Sequence, residues 1–198
     1  MGYGGRRVTD PNRPIDRAAA ALAIETFLRA IGRDPSTEPE LEGTGARVAD
    51  AWIDELTAGY AIDGRALVAK SVIDNAAPGL VVVRDVAITT TCPHHLMPAT
   101  GLAVVAMQAK EKLVGIGTLA ALVEAHARRL TLQEHICDRV VADMMAVLDP
   151  IWAGCRLVLS HACMTARGET KHGARVETVT VRGDVTTAIA HDVLGVGR

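Results

Sequence analysis

Aromatic residues are almost absent from this 198-residue chain, at 3%: two Trp, two Tyr and one Phe. So sparse a set gives no stacking platform for single-stranded bases. The formal net charge of -2 offers no general attraction to nucleic acid or to an anionic membrane. No apolar run approaches the length of a transmembrane helix. No apolar segment follows Arg6-Arg7, which argues against a twin-arginine export signal, and Arg6 spoils a myristoylation motif after Gly2. Four cysteines fall short of a disulfide scaffold. The reading is a cytoplasmic protein with no nucleic-acid and no membrane partner. With 49% hydrophobic and 22% charged residues, the composition is that of a globular domain large enough to bury a core.

Patterning divides the chain. Residues 1–12 are polar and Gly-rich and read as a disordered tail, or one pinned by a partner subunit. Residues 13–62 read as a helical segment. Apolar residues recur at helical spacing from Ile15 to Ile31, with Pro14 suited to a first turn and Gly32 to a stop. A loop over 33–44 precedes a second helix from Gly45 to Ala58. Residues 63–198 read as the main domain, one structural unit with those helices. Leu80–Val83 and then Val86, Ile88 and Thr90 predict a strand, with a partner over 101–108. Helices follow over Thr118–Arg129 and Leu132–Leu148, then strands over 154–163 and 174–181. The fold class is α+β, with antiparallel hairpins carrying helices on one face.

The chemistry concentrates in two segments, Cys92-Pro93-His94-His95 and His161-Ala162-Cys163. Two thiols and an imidazole form a soft donor set suited to zinc. Cys92 and His95 are close enough for one bend to aim both at one ion, and Cys163 supplies a third ligand. Three protein ligands leave a tetrahedral position open, as a catalytic zinc requires. A closed structural site and plain buried cysteines also satisfy this spacing. His94 and His161 sit beside the ligands and are candidate proton carriers, or else support the ligands or belong to the core. Two residues before Cys163, His161 is expected on the same strand face. Thr131-x-x-Glu134 has the form of a helix capping box.

Thr91-Cys92-Pro93-His94-His95, Leu132-Gln133-Glu134 and the run His161-Ala162-Cys163-Met164-Thr165-Ala166-Arg167-Gly168 resemble, in order and spacing, the signature blocks of the GTP cyclohydrolase I family. Gly45-Ala46-Arg47-Val48-Ala49 resembles that family's segment in the helix before its barrel. The resemblance implies a tunnelling fold (T-fold), in which hairpins from several subunits close a toroidal barrel with helices outside. It implies a homo-oligomer with substrate sites at subunit interfaces, and Zn2+ held by Cys92, His95 and Cys163. The implied reaction attacks C8 of guanine with zinc-held water, opens the imidazole ring, releases formate and closes a pterin ring. From GTP this gives 7,8-dihydroneopterin triphosphate, on the way to folate. His94 and His161 take the catalytic positions. Glu134, with Gln133 beside it, takes the guanine-binding position rather than that of a cap. Arg167 is matched to phosphate, and Arg47 is a weaker second candidate; as plain surface residues, they would be an ion pair and a solvated helix position.

Two departures from the family pattern bear on the substrate. Pro93 stands where the family has a glutamate. Gly117, Thr118 and Ala121 stand where it has a serine, a lysine and an arginine. A hydrogen bond to a charged group contributes roughly 1.5–3 kcal/mol, so losing two weakens triphosphate binding on the order of 10²- to 10⁴-fold. Lys110, Lys112, Arg128, Arg129, Lys171 and Arg175 are the basic residues available to compensate. Three readings follow: a guanine-nucleotide cyclohydrolase, a diverged hydrolase of a purine or related heterocycle with fewer phosphates, and a non-catalytic zinc-containing purine- or pterin-binding protein.

Overall fold

The computed structural model describes residues 14–74, 77–168 and 170–197, so the expected tail over 1–12 lies outside the described residues. The chain separates into two compact units, Met1–Glu55 and Leu56–Arg198. In the first, helix α1 (Arg17–Ala30) starts at Asp16, whose side chain accepts from the Ala19 amide. Helix α2 (Thr44–Asp50) lies against α1. A Cβ on Gly45 would stand 2.6 Å from the Ala21 carbonyl oxygen, so glycine permits the approach. Arg17 ties the pair together through Asp50 and Asp54. The single helix expected over 45–58 is instead three pieces: α2, a wider π-helical stretch over Ala51–Leu56, and a 3-10 turn over Ala58–Ala61. Ile15, Leu22 and Ile31, among the apolar residues that recur over 15–31, are exposed.

The second unit opens with helix α3 (Gly64–Ala69), capped by Asp63, and the short strand β1 (Val72–Ile73). Strands β2 (Gly79–Thr91) and β3 (Pro98–Ala109) form a long hairpin, and β4 (Leu113–Val114) pairs with β1. Helices α4 (Ile116–Ala127) and α5 (Gln133–Leu148) lead into β5 (Trp152–His161), the short helix α6 (Ala162–Thr165), β6 (Val176–Gly183) and α7 (Thr187–Leu194). The main sheet is antiparallel throughout, in the order β2-β3-β5-β6. The α+β expectation holds. The two apolar runs before Cys92 belong to one strand, joined across a bulge between Val83 and Val86 where Asp85 takes φ 56°.

Alternation along β3 decides what each sheet face covers. Ala103, Val105, Met107 and Ala109 join the main core with Leu119, Leu122, Ile136, Val140 and Met144 of α4 and α5. Val104 and Ala106 point the other way and pack with Trp152 and Leu194. Helix α7 therefore covers part of the face opposite α4 and α5, so helices sit on both faces where one was expected. At its far end α5 stops at Asp149, in the left-handed conformation with φ 46°, and Pro150 prevents continuation.

Among the glycines of this sheet, Gly101, opposite Leu159, leaves the least room for a side chain. A Cβ there would lie 2.0 Å from the Val158 carbonyl oxygen, whereas one on Gly117 would meet nothing within 4 Å. Gly101→Ala is expected to lower stability by about 1–3 kcal/mol, because backbone cannot yield as a side chain does. Gly117→Ala is expected to be neutral, or to stabilise by up to about 1 kcal/mol. Denaturant melts of the two variants check the contrast.

Candidate metal centre and active site

The hairpin β2–β3 closes at the site. Its last pair is Thr91 with Pro98, and beyond it the Cys92 amide donates to the Met97 carbonyl at 2.9 Å. The Leu96 amide donates back to the Cys92 carbonyl, also at 2.9 Å, with Leu96 at φ 53°. A leucine in the left-handed region is uncommon and strained, and here it turns the chain tightly enough to set His95 beside Cys92. The Cys92 sulfur and His95 Nδ1 are 3.7 Å apart.

The third donor arrives through sheet register. Ala99 of β3 pairs with His161 of β5, so the end of β5 lies beside the hairpin's closing turn. Strand β5 stops at His161, and Cys163 rides on α6, the helical turn closed by the Ala166 amide donating to the Ala162 carbonyl. The expectation of a strand through 163, with His161 and Cys163 on one face, is corrected here. The turn of α6 carries the thiol to the metal-ligand group while His161 stays on the strand. Donor atoms of Cys92, His95 and Cys163 lie within 4.8 Å of one another. Burial and then the neighbouring Cys92 push the Cys163 thiol upward in pKa. Two thiols that disfavour joint ionisation, with an imidazole at their side, are a donor set that a soft divalent cation fits.

A cavity of about 240 Å³ adjoins the group, with His94, Gln133, Glu134, His161 and Val176 in its wall. Gln133 and Glu134 enter at the start of α5. The residue flanking this helix is Leu132, with no side-chain cap, and the Thr131 hydroxyl donates instead to the Leu132 carbonyl. The capping box is not formed, because Thr131 lies one residue too early to cap the first turn. Glu134 is exposed to the cavity, and its negative charge acts on His161. Burial outweighs that charge and leaves the His161 pKa below the ordinary histidine value. Gln133, by contrast, is 4% exposed and turned inward. Its amide nitrogen donates to the Val176 carbonyl at 2.9 Å, the Thr178 hydroxyl at 3.1 Å and the Leu157 carbonyl at 3.3 Å, and its Oε1 lies 2.7 Å from His161 Nε2. Thr178 and the carbonyls of β5 and β6 had no signal in the sequence; they reach Gln133 only through strand pairing.

The other expected residues are less closely gathered. His94 is exposed, edge-on to His95 with ring centres 6.3 Å apart. Arg167 is exposed just past α6, and its charge acts on the Cys163 thiol. Arg47 belongs to the first unit, where it donates to the Thr44 hydroxyl. Cys137 and Cys155 are buried in the core, and neither is among the three metal-ligand candidates. At the start of α4, the Thr118 hydroxyl is bonded to Ser71 at 2.8 Å. Of the basic residues named as compensators, Lys110 pairs with Asp149, Lys112 donates to the Val147 carbonyl, Arg128 pairs with Glu124, and Arg129 donates to the Ala125 and Ile62 carbonyls.

Comparison with known proteins adds sequence evidence. The family model described as GTP cyclohydrolase I matches residues 20–193. A GTP cyclohydrolase 1 of Synechococcus sp. is 37% identical over 180 residues, covering 91% of this chain and 75% of that protein. A GTP cyclohydrolase 1 of Leptospira biflexa is 36% identical over 160 residues, covering 81% of this chain and 86% of that one. Among solved structures, the archaeosine synthase QueF-Like in the apo form is similar with a TM-score of 0.45 and 17% identity, over 56% of this chain and 100% of that one.

With no capping bond to lose, Glu134→Gln is expected to cost less than about 1 kcal/mol, the size of a carboxylate's interaction with a helix N-terminus. A thermal melt checks this; a loss near 2 kcal/mol would restore the capping role.

Proposed function

The chain belongs to the GTP cyclohydrolase I family, and from that premise we propose that it is a zinc-dependent hydrolase opening the imidazole ring of a guanine nucleotide at C8. The family's default product is 7,8-dihydroneopterin triphosphate with formate. The observation that carries this reading is the convergence of Cys92, His95 and Cys163 at a cavity that also holds His161 and Glu134. Those three residues would hold the metal. Zinc with three protein ligands keeps a place for water and lowers that water's pKa to about 7.

The chain's own groups divide the remaining work. Glu134 presents a carboxylate, an acceptor-only group suited to the N1–H and 2-amino hydrogens of guanine. Ring opening puts negative charge on the departing ring nitrogen, which needs a proton. His94, beside the ligand His95, is assigned to deliver one. His161, whose pKa burial holds below the ordinary histidine value, is assigned to exchange a second. Arg167 is assigned to phosphate, where its guanidinium matches two oxygens at once. We place the complete site in a homo-oligomer. Strands β2 and β6 are the two edges of the main sheet, which is how a barrel shared among subunits would be closed.

A second reading keeps the base-opening chemistry but takes a substrate with fewer phosphates. It is favoured by the start of α4, where Gly117 and Ala121 supply no cation and Thr118 spends its hydroxyl on Ser71. Lys110, Lys112, Arg128 and Arg129, among the basic residues able to compensate, are engaged within the chain.

The deciding experiment incubates zinc-loaded protein with GTP, GDP, GMP, guanosine and guanine and measures formate and pterin separately. Formate with pterin from GTP is expected on the first reading. Formate without pterin, or little preference among phosphorylation states, supports the second. Formate from none of the five contradicts both. His94→Ala and His161→Ala are each expected to lower turnover by about 10²- to 10⁴-fold with zinc retained. Cys163→Ser is expected to lose most of the metal, and Cys137→Ser to keep it. Elemental analysis checks both, and full zinc in Cys163→Ser would remove that residue from the ligand set.

A further inference from the structure

Gln133 is a neighbour of the guanine-binding candidate Glu134, yet its side chain is spent inside the protein. Its NH2 group faces two backbone carbonyls, Val176 at 2.9 Å and Leu157 at 3.3 Å. Carbonyls only accept, so the amide cannot be flipped without setting its oxygen against both of them. Oε1 is therefore the atom facing His161 Nε2 at 2.7 Å, and it too can only accept. We propose that Gln133 is a positioning residue that fixes His161 as the Nε2–H tautomer, leaving Nδ1 as the nitrogen that gives and receives protons at the site.

The orientation is set by the edge of the sheet. Val176 and Thr178 are on β6, Leu157 is on β5, and Gln133 is the first residue of α5. The Thr178 hydroxyl also contacts the Cys137 sulfur at 3.5 Å, one turn further along α5. A neutral imidazole has one donor and one acceptor nitrogen, and exchanging them would set two acceptors, Oε1 and a bare Nε2, against each other. At 4% exposure no water takes up that conflict cheaply, so one tautomer dominates. The catalytic use of Nδ1 rests on the function proposed above; the tautomer itself does not.

The test is nitrogen NMR of imidazole-labelled, zinc-loaded protein held at pH 8, with the His161 signals identified by their loss in His161→Asn. His161 is expected to show a protonated Nε2 and a bare Nδ1. Gln133→Met keeps the length and removes the acceptor, and is expected to give a mixture of tautomers. It should also lower kcat by about 10-fold or more while KM changes less than about twofold, as expected when only the transition-state interaction is lost. A wild-type His161 protonated on Nδ1, or an unchanged His161 signature in Gln133→Met, would overturn the proposal. If Gln133→Met does not fold, the wild-type spectrum decides. The expected tautomer in a protein that releases no formate would leave this inference standing and remove the function.

Discussion

The pairing of β3 with β5, running from Ala99 opposite His161 to Gln108 opposite Trp152, sets His161 and the turn that carries Cys163 beside the end of the first hairpin. Its upper end brings two chain reversals together: the Cys92–Met97 turn that closes the first hairpin, and the turn of α6 that follows β5. A slip of one residue would send His161 to the other face of the sheet and shift α6 along it. Such a slip is opposed by the alternation of β3, which buries Val105 and Met107 against α4 and α5 and Val104 and Ala106 on the other side. Over 103–107 the strand is buried on both faces, so that stretch has no polar side on which to rotate. The hydrophobic core thus holds the geometry of the Cys92, His95 and Cys163 donor group without contributing a donor to it.

The second constraint is polar. Helix α5 starts at the cavity with two adjacent residues that face opposite ways: Gln133 inward, to carbonyls of β5 and β6, and Glu134 outward. One holds the sheet edge and the imidazole of His161; the other is exposed in the cavity wall. Because Leu132 and Thr131 make no side-chain cap, the Glu134 carboxylate is not committed to its own helix. A group kept free in this way is available for recognition.

Much of this was legible in the sequence, and what was not has physical causes. The long helices α1, α4 and α5 and the four long strands carry enough periodicity to be seen. Helix α3, the β1–β4 pair and α7 are too short to show a period. The second helix of the first unit was read as continuous because Trp52, Ile53 and Leu56 keep an apolar rhythm through turns that are π-helical rather than α-helical. That Cys92, His95 and Cys163 come together was legible because Cys and His are rare and reactive, whereas the carriage of Cys163 was not: it leaves the strand on the helical turn of α6. Contacts such as Gln133 with Val176, or Thr118 with Ser71, depend on which strands and helices become neighbours. No local pattern encodes that.

The most direct test of the account is the coordination of the metal itself. X-ray absorption at the zinc edge of the purified protein should show two sulfur donors and one imidazole. A light-atom donor should complete the shell and exchange when a purine ligand is added. That environment is what Cys92, His95 and Cys163 can supply with one position kept for chemistry. A shell closed by four protein donors and indifferent to ligand, or a zinc held without sulfur, would contradict it.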